Sequence, residues 1–405
     1  MGSSASDSLL RPGPALPALR QAVTILLMVF LASAFVSIAV NSISLGLLAF
    51  AWPVLMLVER RWTVVATPLD WFFLAWVVAE MLSTVFSPNP LQSLEFSKRL
   101  LLVGIVYLLA SFVTSPRQAR RLMVVLLGAA TAVGVLGVLK LLFGAPEETV
   151  RLGIFQFYMT TSGVMMIATL LFVPFLIHPG TPKRIRLLAM AGLIPVAVSL
   201  YATVTRGAYL AAAAGVVFIA FVRNRKLIIP VLLIFVLLLL FAPPYVQSRI
   251  RSIVDVEHPD NASRLMLWKT GLRMFQDYPV FGIGDIDMHE LYLRYMDPDD
   301  PAQHGHFHNM AMQFLVTLGS VGFAAVLAMF VRIFRTEWRI FRAVRTDWFA
   351  GSVSLGALAA FIGLQVSGLT EWSFGDQEVA VLFWTTVGLT LAVGRMSGAQ
   401  PAGEA

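Results

Sequence analysis

The sequence predicts an all-α polytopic membrane protein with about twelve transmembrane helices and one large helical loop. Three observations predict this class. Hydrophobic residues make up 58% of the 405 residues and charged residues 13%, against about 45–50% and about 25% in an ordinary soluble domain. Apolar runs of spanning length recur along the chain, and Lys and Arg gather in alternate connections between them. So many apolar residues cannot be buried inside one or two soluble cores.

The apolar runs set the domain organisation. A transmembrane helix needs roughly 17–25 apolar residues, and twelve runs reach or approach that length, although some, such as the second and eighth, are short. They predict transmembrane helices 1–9 in residues 1–243 and helices 10–12 in residues 309–396, with a disordered cytoplasmic tail over 397–405. The runs lie at about 22–40, 43–58, 70–86, 99–114, 122–143, 158–177, 187–204, 207–222, 227–243, 309–331, 350–369 and 379–394.

The distribution of cations predicts the orientation of the chain. With both termini placed in the cytoplasm, 19 of the 30 Lys and Arg residues fall on the cytoplasmic side, as the positive-inside rule requires. This topology accounts for most of the net charge of +7 without nucleic acid as a partner. Outside the long loop, the opposite side carries five cations, and an anionic ligand would explain them. They are Lys98, Arg99, Lys140, Arg151 and Arg206.

The long loop, residues 244–308, is predicted to be a large segment on the outer side of the membrane, which the resemblance described below would make periplasmic. Apolar residues recur at helical spacing over 262–272, with Ser263 as a possible cap, which indicates an amphipathic helix over the membrane. Pro279 and the glycines of 282–284 should end it.

The composition excludes several kinds of chemistry. The sequence has no Cys, so a disulfide framework, a thiolate nucleophile and a cysteine metal site are excluded. It has no P-loop, no dinucleotide-binding fingerprint and no G-x-S-x-G motif. Paired acidic residues inside the spans, expected of many transporters, are almost absent.

Two arginines are candidate anion ligands. Arg206 lies between two apolar runs with almost no loop, where a guanidinium is costly unless it meets an anion or a water-filled cavity. The alternative is an arginine that reaches phospholipid head groups. Arg264 shares a face of the predicted loop helix with Trp268, and that helix could equally rest its cations on lipid phosphates.

Histidines cluster at the end of the long loop. Four of the six are His289, His304, His306 and His308, and the run from 304 to 309 ends where the tenth span begins. A metal site must be considered, but no carboxylate stands at a familiar zinc spacing. We therefore expect no metal. Proton transfer suits these positions better, because an imidazole gains and loses a proton near neutral pH.

The ordered set of motifs resembles the O-antigen ligases, with the related O-antigen polymerases and O-oligosaccharyltransferases of Gram-negative inner membranes. The topology resembles that family over most of the chain. The shared motifs are narrower: Thr205-Arg206-Gly207-Ala208, Arg264-x-x-x-Trp268, Tyr278-Pro279-Val280-Phe281-Gly282-Ile283-Gly284, His308-Asn309 and Leu318-Gly319-Ser320-Val321-Gly322.

The resemblance implies a GT-C-like glycosyltransferase of the bacterial inner membrane that works on the periplasmic face without metal or other cofactor. It would move a glycan from undecaprenyl pyrophosphate to a hydroxyl of the lipid A core oligosaccharide, with inversion at the anomeric carbon. Its partners would be these two lipids and the surrounding membrane lipids.

The resemblance also implies roles for individual residues. Arg206 and Arg264 would stabilise the pyrophosphate, whose negative charge grows as the glycosidic bond breaks. His308 would act as general base for the acceptor hydroxyl, with His306 and Asn309 beside it as substrate-binding residues. Lys98, Arg99 and Arg151 would guide the lipid phosphates.

Other functions remain open on the sequence. An O-antigen polymerase would use the same donor with a second lipid-linked glycan as acceptor, and an O-oligosaccharyltransferase would glycosylate protein. An anion transporter would use Arg206 on a path across the membrane.

Overall fold

The computed structural model describes residues 15–145, 151–253, 255, 257–298 and 305–399, and within these ranges the chain forms helices and no strand. Two short 3-10 helices, Ser97–Val103 and Arg225–Leu227, accompany sixteen α-helices. The α-helices are α1 (Ala15–Ser33), α2 (Ile38–Glu59), α3 (Asp70–Val85), α4 (Pro90–Phe96), α5 (Gly104–Phe112), α6 (Pro116–Phe143), α7 (Tyr158–Ile177), α8 (Lys183–Ala202), α9 (Arg206–Arg223), α10 (Ile228–Leu240), α11 (Pro244–Arg251), α12 (Pro259–Asp277), α13 (His289–Tyr295), α14 (Met310–Val344), α15 (Trp348–Ser367) and α16 (Gln377–Met396).

Nine helices in the described residues are long and apolar enough to cross a membrane: α1, α2, α6–α9 and α14–α16. This confirms the predicted all-α polytopic membrane class. The other three predicted spans are shorter as helices. The run 70–86 is the 16-residue α3, the run 99–114 is divided between a 3-10 helix and α5, and the run 227–243 contains the 13-residue α10, after which Pro243 and Pro244 begin the next helix.

Three helices form the centre of the bundle. Within their apolar windows, 78% of the residues of α7, 83% of α15 and 89% of α16 are buried, against 22% for α2. A helix that is apolar all round and packed on every side belongs in the interior. Helix α15 packs against α7, α9, α14 and α16, so it connects the helices that carry the candidate site.

The helix predicted over 262–272 is present as α12, but it begins earlier and Ser263 is not its cap. Its N-cap is His258, whose Nδ1 accepts a hydrogen bond from the backbone N–H of Asp260 at 3.3 Å. Pro259 occupies the first helical position, where the missing N–H has no cost. The apolar periodicity starts later than these capping residues, which explains the difference. The helix ends at Asp277, before Pro279.

Two of the glycine motifs form a single structural joint. Helix α14 breaks at Gly319, which has φ 65° and ψ −171°, and the segment 278–284 crosses it there. Backbone N–H groups of Ile283 and Gly284 donate to the carbonyls of Val316 and Thr317 at 3.0 and 2.9 Å. The joint therefore satisfies carbonyls freed by the break and attaches the segment after α12 to α14.

We expect Gly319→Ala to lower the free energy of unfolding by about 1–3 kcal/mol. The residue has a positive φ, and a Cβ there would meet the backbone of Val280 and Gly282. The melting temperature in detergent would measure the loss. Gly128→Ala in α6 is the control, because a Cβ at Gly128 meets no atom within 4 Å. Equal melting temperatures for the two variants would contradict a structural joint at Gly319.

Candidate active site

One cavity of about 450 Å³ brings together four of the predicted site residues. It lies where α7, α9, α12 and the connection between α15 and α16 meet. Arg151, Arg206, Arg264 and His308 line it, although they are spread over more than 150 positions in the sequence. The charged residues and histidine that line it are Arg151, Arg206, Arg249, Arg264, Asp260, Glu371, Asp376 and His308.

Arg206 is the first residue of α9 and is almost fully buried, with 8% of its side chain exposed. Its Nη1 donates to the backbone carbonyl and the Oγ of Ser252 at 2.8 and 2.7 Å, and its Nη2 donates to Asn261 Oδ1 at 3.2 Å. A buried guanidinium needs such partners. Arg206 also lines the cavity, so it is held in place at a position next to the space that an anion would occupy.

Arg249 and Asp260 extend the charged wall. Arg249 Nη1 lies 2.6 Å from Asp260 Oδ2, and Arg206 Nη2 lies 3.4 Å from the same oxygen. Burial acts to raise the pKa of the Asp260 carboxyl, but Arg249 and Arg206 outweigh it and hold that pKa below its usual value. Asp260 is therefore an internal anion between two arginines, where an anionic ligand would compete with it.

Arg151 lies on another wall of the cavity. Its guanidinium stands over the Tyr158 ring, 3.8 Å from the ring centroid, and its Nη1 donates to the Tyr158 hydroxyl at 2.6 Å. Burial is the largest cause of a lowered pKa for Arg151. With Arg206, Arg249 and Arg264 it makes four guanidinium groups against three carboxylates, so the cavity favours an anion.

His308 is paired with Glu371. Its Nδ1 lies 2.9 Å from Glu371 Oε1, and the two side chains are 18% and 17% exposed. The backbone of His308 has φ 45°, in the left-handed region that non-glycine residues seldom adopt. Strain of this kind persists where surrounding contacts over-determine a conformation. The hydrogen bond between His308 Nδ1 and the Glu371 carboxylate holds the imidazole ring in one orientation.

Glu371 is the centre of this part of the site. Besides His308, its Oε1 is 3.5 Å from His306 Nε2, and its Oε2 is 4.0 Å from Arg264 Nη2. Burial acts to raise the pKa of Glu371, but hydrogen bonds from His306 and His308 outweigh it and lower the pKa to about 2. Glu371 is thus a partly buried carboxylate that is ionised at neutral pH.

This pKa predicts an acid-dependent loss of stability. The folded pKa of Glu371, about 2, is below its ordinary value of 4.5. Its contribution to stability is therefore complete above pH 4.5 and is lost as the pH falls from about 4.5 towards 2. Melting temperatures across this range should fall less for Glu371→Gln than for wild type. Glu95→Gln, in an exposed side chain outside the cavity, should keep the wild-type dependence; identical curves for all three would contradict the assignment.

His306, His308 and Glu371 could together hold a metal ion, since one ligand atom from each lies within 4.8 Å of the others. The sequence showed no carboxylate at zinc spacing because Glu371 follows His308 by 63 residues. The direct His308–Glu371 hydrogen bond gives these side chains a role without an ion, and the expectation of no metal stays a prediction. His304 lies outside the described residues, as does the part of the predicted tail after residue 399.

The structure does not bring Lys98, Arg99 or Asn309 into this cavity. Lys98 and Arg99 line a separate apolar groove. Lys98 Nζ is 3.7 Å from Glu95, and Arg99 Nη2 is 2.5 Å from Asp285. Both cations have internal acidic partners.

Asn309 is the N-cap of α14. Its Oδ1 accepts from the N–H of Met312 at 2.9 Å, and its Nδ2 donates to the carbonyl of Leu369 at 3.0 Å. The second bond ties the segment after His308 to the connection that carries Glu371. Asn309 therefore helps to hold the backbone next to His308 close to the backbone next to Glu371.

Sequence reasoning missed Glu371, Arg249 and Asp260. A signal for Glu371 was present, since it is an acidic residue in the short connection between two strongly apolar runs. Nothing local connects it to His308, however, because the pairing depends on how α14 and α15 pack. Nothing in the sequence distinguishes Arg249 and Asp260 from the other charged residues of the long loop.

Comparison with known proteins gives one family match. Residues 191–327 match the family model described as O-antigen ligase, and this range contains Arg206, Arg249, Arg264 and His308. No curated protein matches the chain. A solved structure described as "Structural coordination of polymerization and crosslinking by a peptidoglycan synthase complex" contains a chain that is similar, with 18% identity and a TM-score of 0.49 over 83% of this chain and 99% of that one.

Proposed function

We propose, from the match of residues 191–327 to the O-antigen ligase family, that this chain is an O-antigen ligase. It would join a glycan carried on undecaprenyl pyrophosphate to the lipid A core oligosaccharide, on the periplasmic face of the inner membrane. The observation that supports this most is the single cavity in which a His308–Glu371 pair lies beside four arginines, of which Arg206 is buried. A base and an anion site side by side are what transfer from a pyrophosphate requires.

The arginines would bind the donor. Pyrophosphate carries two or more negative charges, and it gains further charge as the bond to the anomeric carbon breaks. Arg206 and Arg264 would stabilise that developing charge, with Arg151 and Arg249 on neighbouring walls. Because Arg206 and Arg249 already share Asp260, the donor would displace this carboxylate from one of them. Once the donor is bound, arginines that are already held in place would stabilise the transition state without further reorganisation.

His308 would activate the acceptor. The acceptor hydroxyl oxygen attacks the anomeric carbon and forms the new C–O bond, while its proton passes to Nε2 of His308. The bond between the anomeric carbon and the pyrophosphate oxygen breaks, and its electron pair leaves with undecaprenyl pyrophosphate. Attack opposite to the leaving group inverts the configuration. Glu371 would hold the ring and stabilise the imidazolium that forms, as a carboxylate does behind a catalytic histidine.

A reconstituted transfer assay tests the function. Purified protein in detergent with EDTA would be given undecaprenyl-pyrophosphate glycan and lipid A core, and the products would be separated by size. The proposal predicts glycosylated core in EDTA. Longer glycans from donor alone would indicate an O-antigen polymerase, and glycosylated protein an O-oligosaccharyltransferase. Absence of turnover with every acceptor would favour an anion transporter, and activity restored only by added metal would contradict the metal-independent mechanism.

We expect Glu371→Gln to lower kcat by about 10²-fold or more, with little change in the KM for donor. The amide keeps the shape of the side chain but cannot stabilise an imidazolium. A lower kcat with an unchanged KM for donor indicates a positioning role. A loss of the fold would instead lower the yield of protein or weaken donor binding as well. Glu371→Asp should restore part of kcat. Glu378→Gln is the control, because Glu378 is also buried near the start of α16 but does not line the cavity.

A further inference from the structure

A second cavity lies at the far ends of the helices that carry the site residues. Helix α9 begins at Arg206 and ends at Arg223, and α14 begins two residues after His308 and ends at Val344. At about 1.5 Å per residue, the 18 residues of α9 separate its two ends by about 26 Å. The second cavity, of about 480 Å³, is called the basic cavity here, and the residues that matter in its lining are His178, Arg223, Trp338, Phe341, Arg342 and Arg345.

The basic cavity concentrates positive charge. Among the residues that the structure describes, three arginines and no carboxylate line it. The positive-inside rule explains why cations lie on this side of the membrane. It does not explain why three of them, from the ends of two helices, converge on one concave surface, where like charges repel. An anionic ligand would relieve that repulsion.

At this end of the helices, the Arg223 side chain and the His178 ring both bond to the main chain of Arg345. His178 Nε2 lies 3.1 Å from the backbone carbonyl of Arg345, and Arg223 Nη1 donates to the same carbonyl at 3.3 Å. These bonds use the main chain of Arg345, and Arg342 and Arg345 are both exposed. Their guanidinium groups are therefore accessible to a ligand.

The wall of the cavity is partly aromatic. Trp338 and Phe341 line it beside the arginines, and the Trp338 ring is 6.4 Å from that of Phe218 on α9. Tryptophan beside arginine is typical of the membrane–water interface, where one part of a ligand is apolar and the other charged. A free phosphate would use only the arginines, whereas a phospholipid would use both kinds of wall.

We propose that the basic cavity binds the phosphate group of an anionic phospholipid, from the leaflet that the charge pattern predicts to be cytoplasmic. Basic pockets between transmembrane helices commonly take such head groups. The bound phosphate would bridge Arg223 at the end of α9 and Arg342 and Arg345 at the end of α14. It would thereby fix, at one end, the two helices that present Arg206 and His308 at the other. This binding does not depend on the proposed reaction.

Native mass spectrometry of the full chain in a neutral detergent would test the proposal. Three probes would be compared at equal concentration: phosphatidylglycerol, phosphatidylcholine and inorganic phosphate. We expect a retained phosphatidylglycerol adduct that raises the melting temperature, and no such effect of phosphatidylcholine. In Arg342→Gln/Arg345→Gln the affinity for phosphatidylglycerol should fall by about tenfold or more, while the main-chain contacts at Arg345 remain.

The matched control is Arg335→Gln/Arg339→Gln. It removes the same charge from the same helix, at exposed residues that do not line the cavity, and should leave the affinity within about twofold. Equal losses in the two variants would show a diffuse surface attraction and overturn the site. Displacement of phosphatidylglycerol by equimolar inorganic phosphate would show a free-anion site and overturn the lipid assignment, as would the absence of any phosphatidylglycerol adduct.

Discussion

Replacing His308 with alanine is expected to lower kcat for glycan transfer by about 10²- to 10⁴-fold, the usual contribution of a general base. The acceptor hydroxyl would have to lose its proton without a positioned acceptor, while the arginines of the cavity would still bind donor. Initial rates at saturating donor and core acceptor would measure the effect, and the KM for donor should stay within about threefold of wild type.

Two further variants make this result interpretable. Removing His308 also leaves Glu371 buried without its closest partner, which could affect folding. His308→Gln keeps a hydrogen bond to Glu371 but cannot accept a proton, so it should fold as wild type and show the same loss of kcat as His308→Ala. His289→Ala changes a histidine of the same long connection that does not line the cavity and should keep full activity. Wild-type rates in His308→Gln would remove His308 from the proposed mechanism.

Arg206→Ala is expected to lower kcat/KM for donor by about 10²- to 10³-fold, as the loss of one fixed donor to a developing anion does elsewhere. Arg206 is buried, lines the cavity and is held by hydrogen bonds to Ser252 and Asn261. Arg206→Lys should also fail, because an ammonium is a point charge and cannot form the paired hydrogen bonds of a guanidinium with phosphate. The rate at limiting donor would measure both.

Arg206 also has a structural role, and its control must account for it. The guanidinium holds the end of α11 and the start of α12 through Ser252 and Asn261. Ser252→Ala removes one of these hydrogen bonds but leaves the arginine, so it should lower stability slightly and keep activity within about tenfold of wild type. If Ser252→Ala lost as much activity as Arg206→Ala, Arg206 would act only through the local fold.

The sequence predicted the class of the fold, because the bilayer constrains apolar length and charge placement so strongly. Three of the twelve predicted runs form helices too short to be among the nine spanning helices of the described residues. A hydrophobic run shows that a segment avoids water, but not that its backbone stays helical throughout. The run 99–114 changes from 3-10 to α-helix at Gly104, and the run 227–243 gives a 13-residue helix with prolines after it.

The site was predicted in part. Arg206 and His308 could be singled out because each is a polar residue at the end of an apolar run. A polar side chain so close to hydrocarbon is energetically unfavourable unless it has a partner or a function. Glu371 could not be assigned a partner, since the pair depends on the packing of α14 against α15 and on Asn309 tying residue 369 to α14. The motif around Gly282 and Gly319 pointed to function, yet the structure shows a backbone joint that positions α12.

His308 and Glu371 are proposed to act as one unit in the transfer of a glycan from a lipid pyrophosphate. A double-mutant cycle on kcat tests this most directly, with wild type, His308→Gln, Glu371→Gln and the double variant compared in the transfer assay with EDTA. If the carboxylate acts only through the imidazole, the double variant should be no slower than His308→Gln alone. Losses that multiply in the double variant would show that the two residues act independently, and would contradict the account.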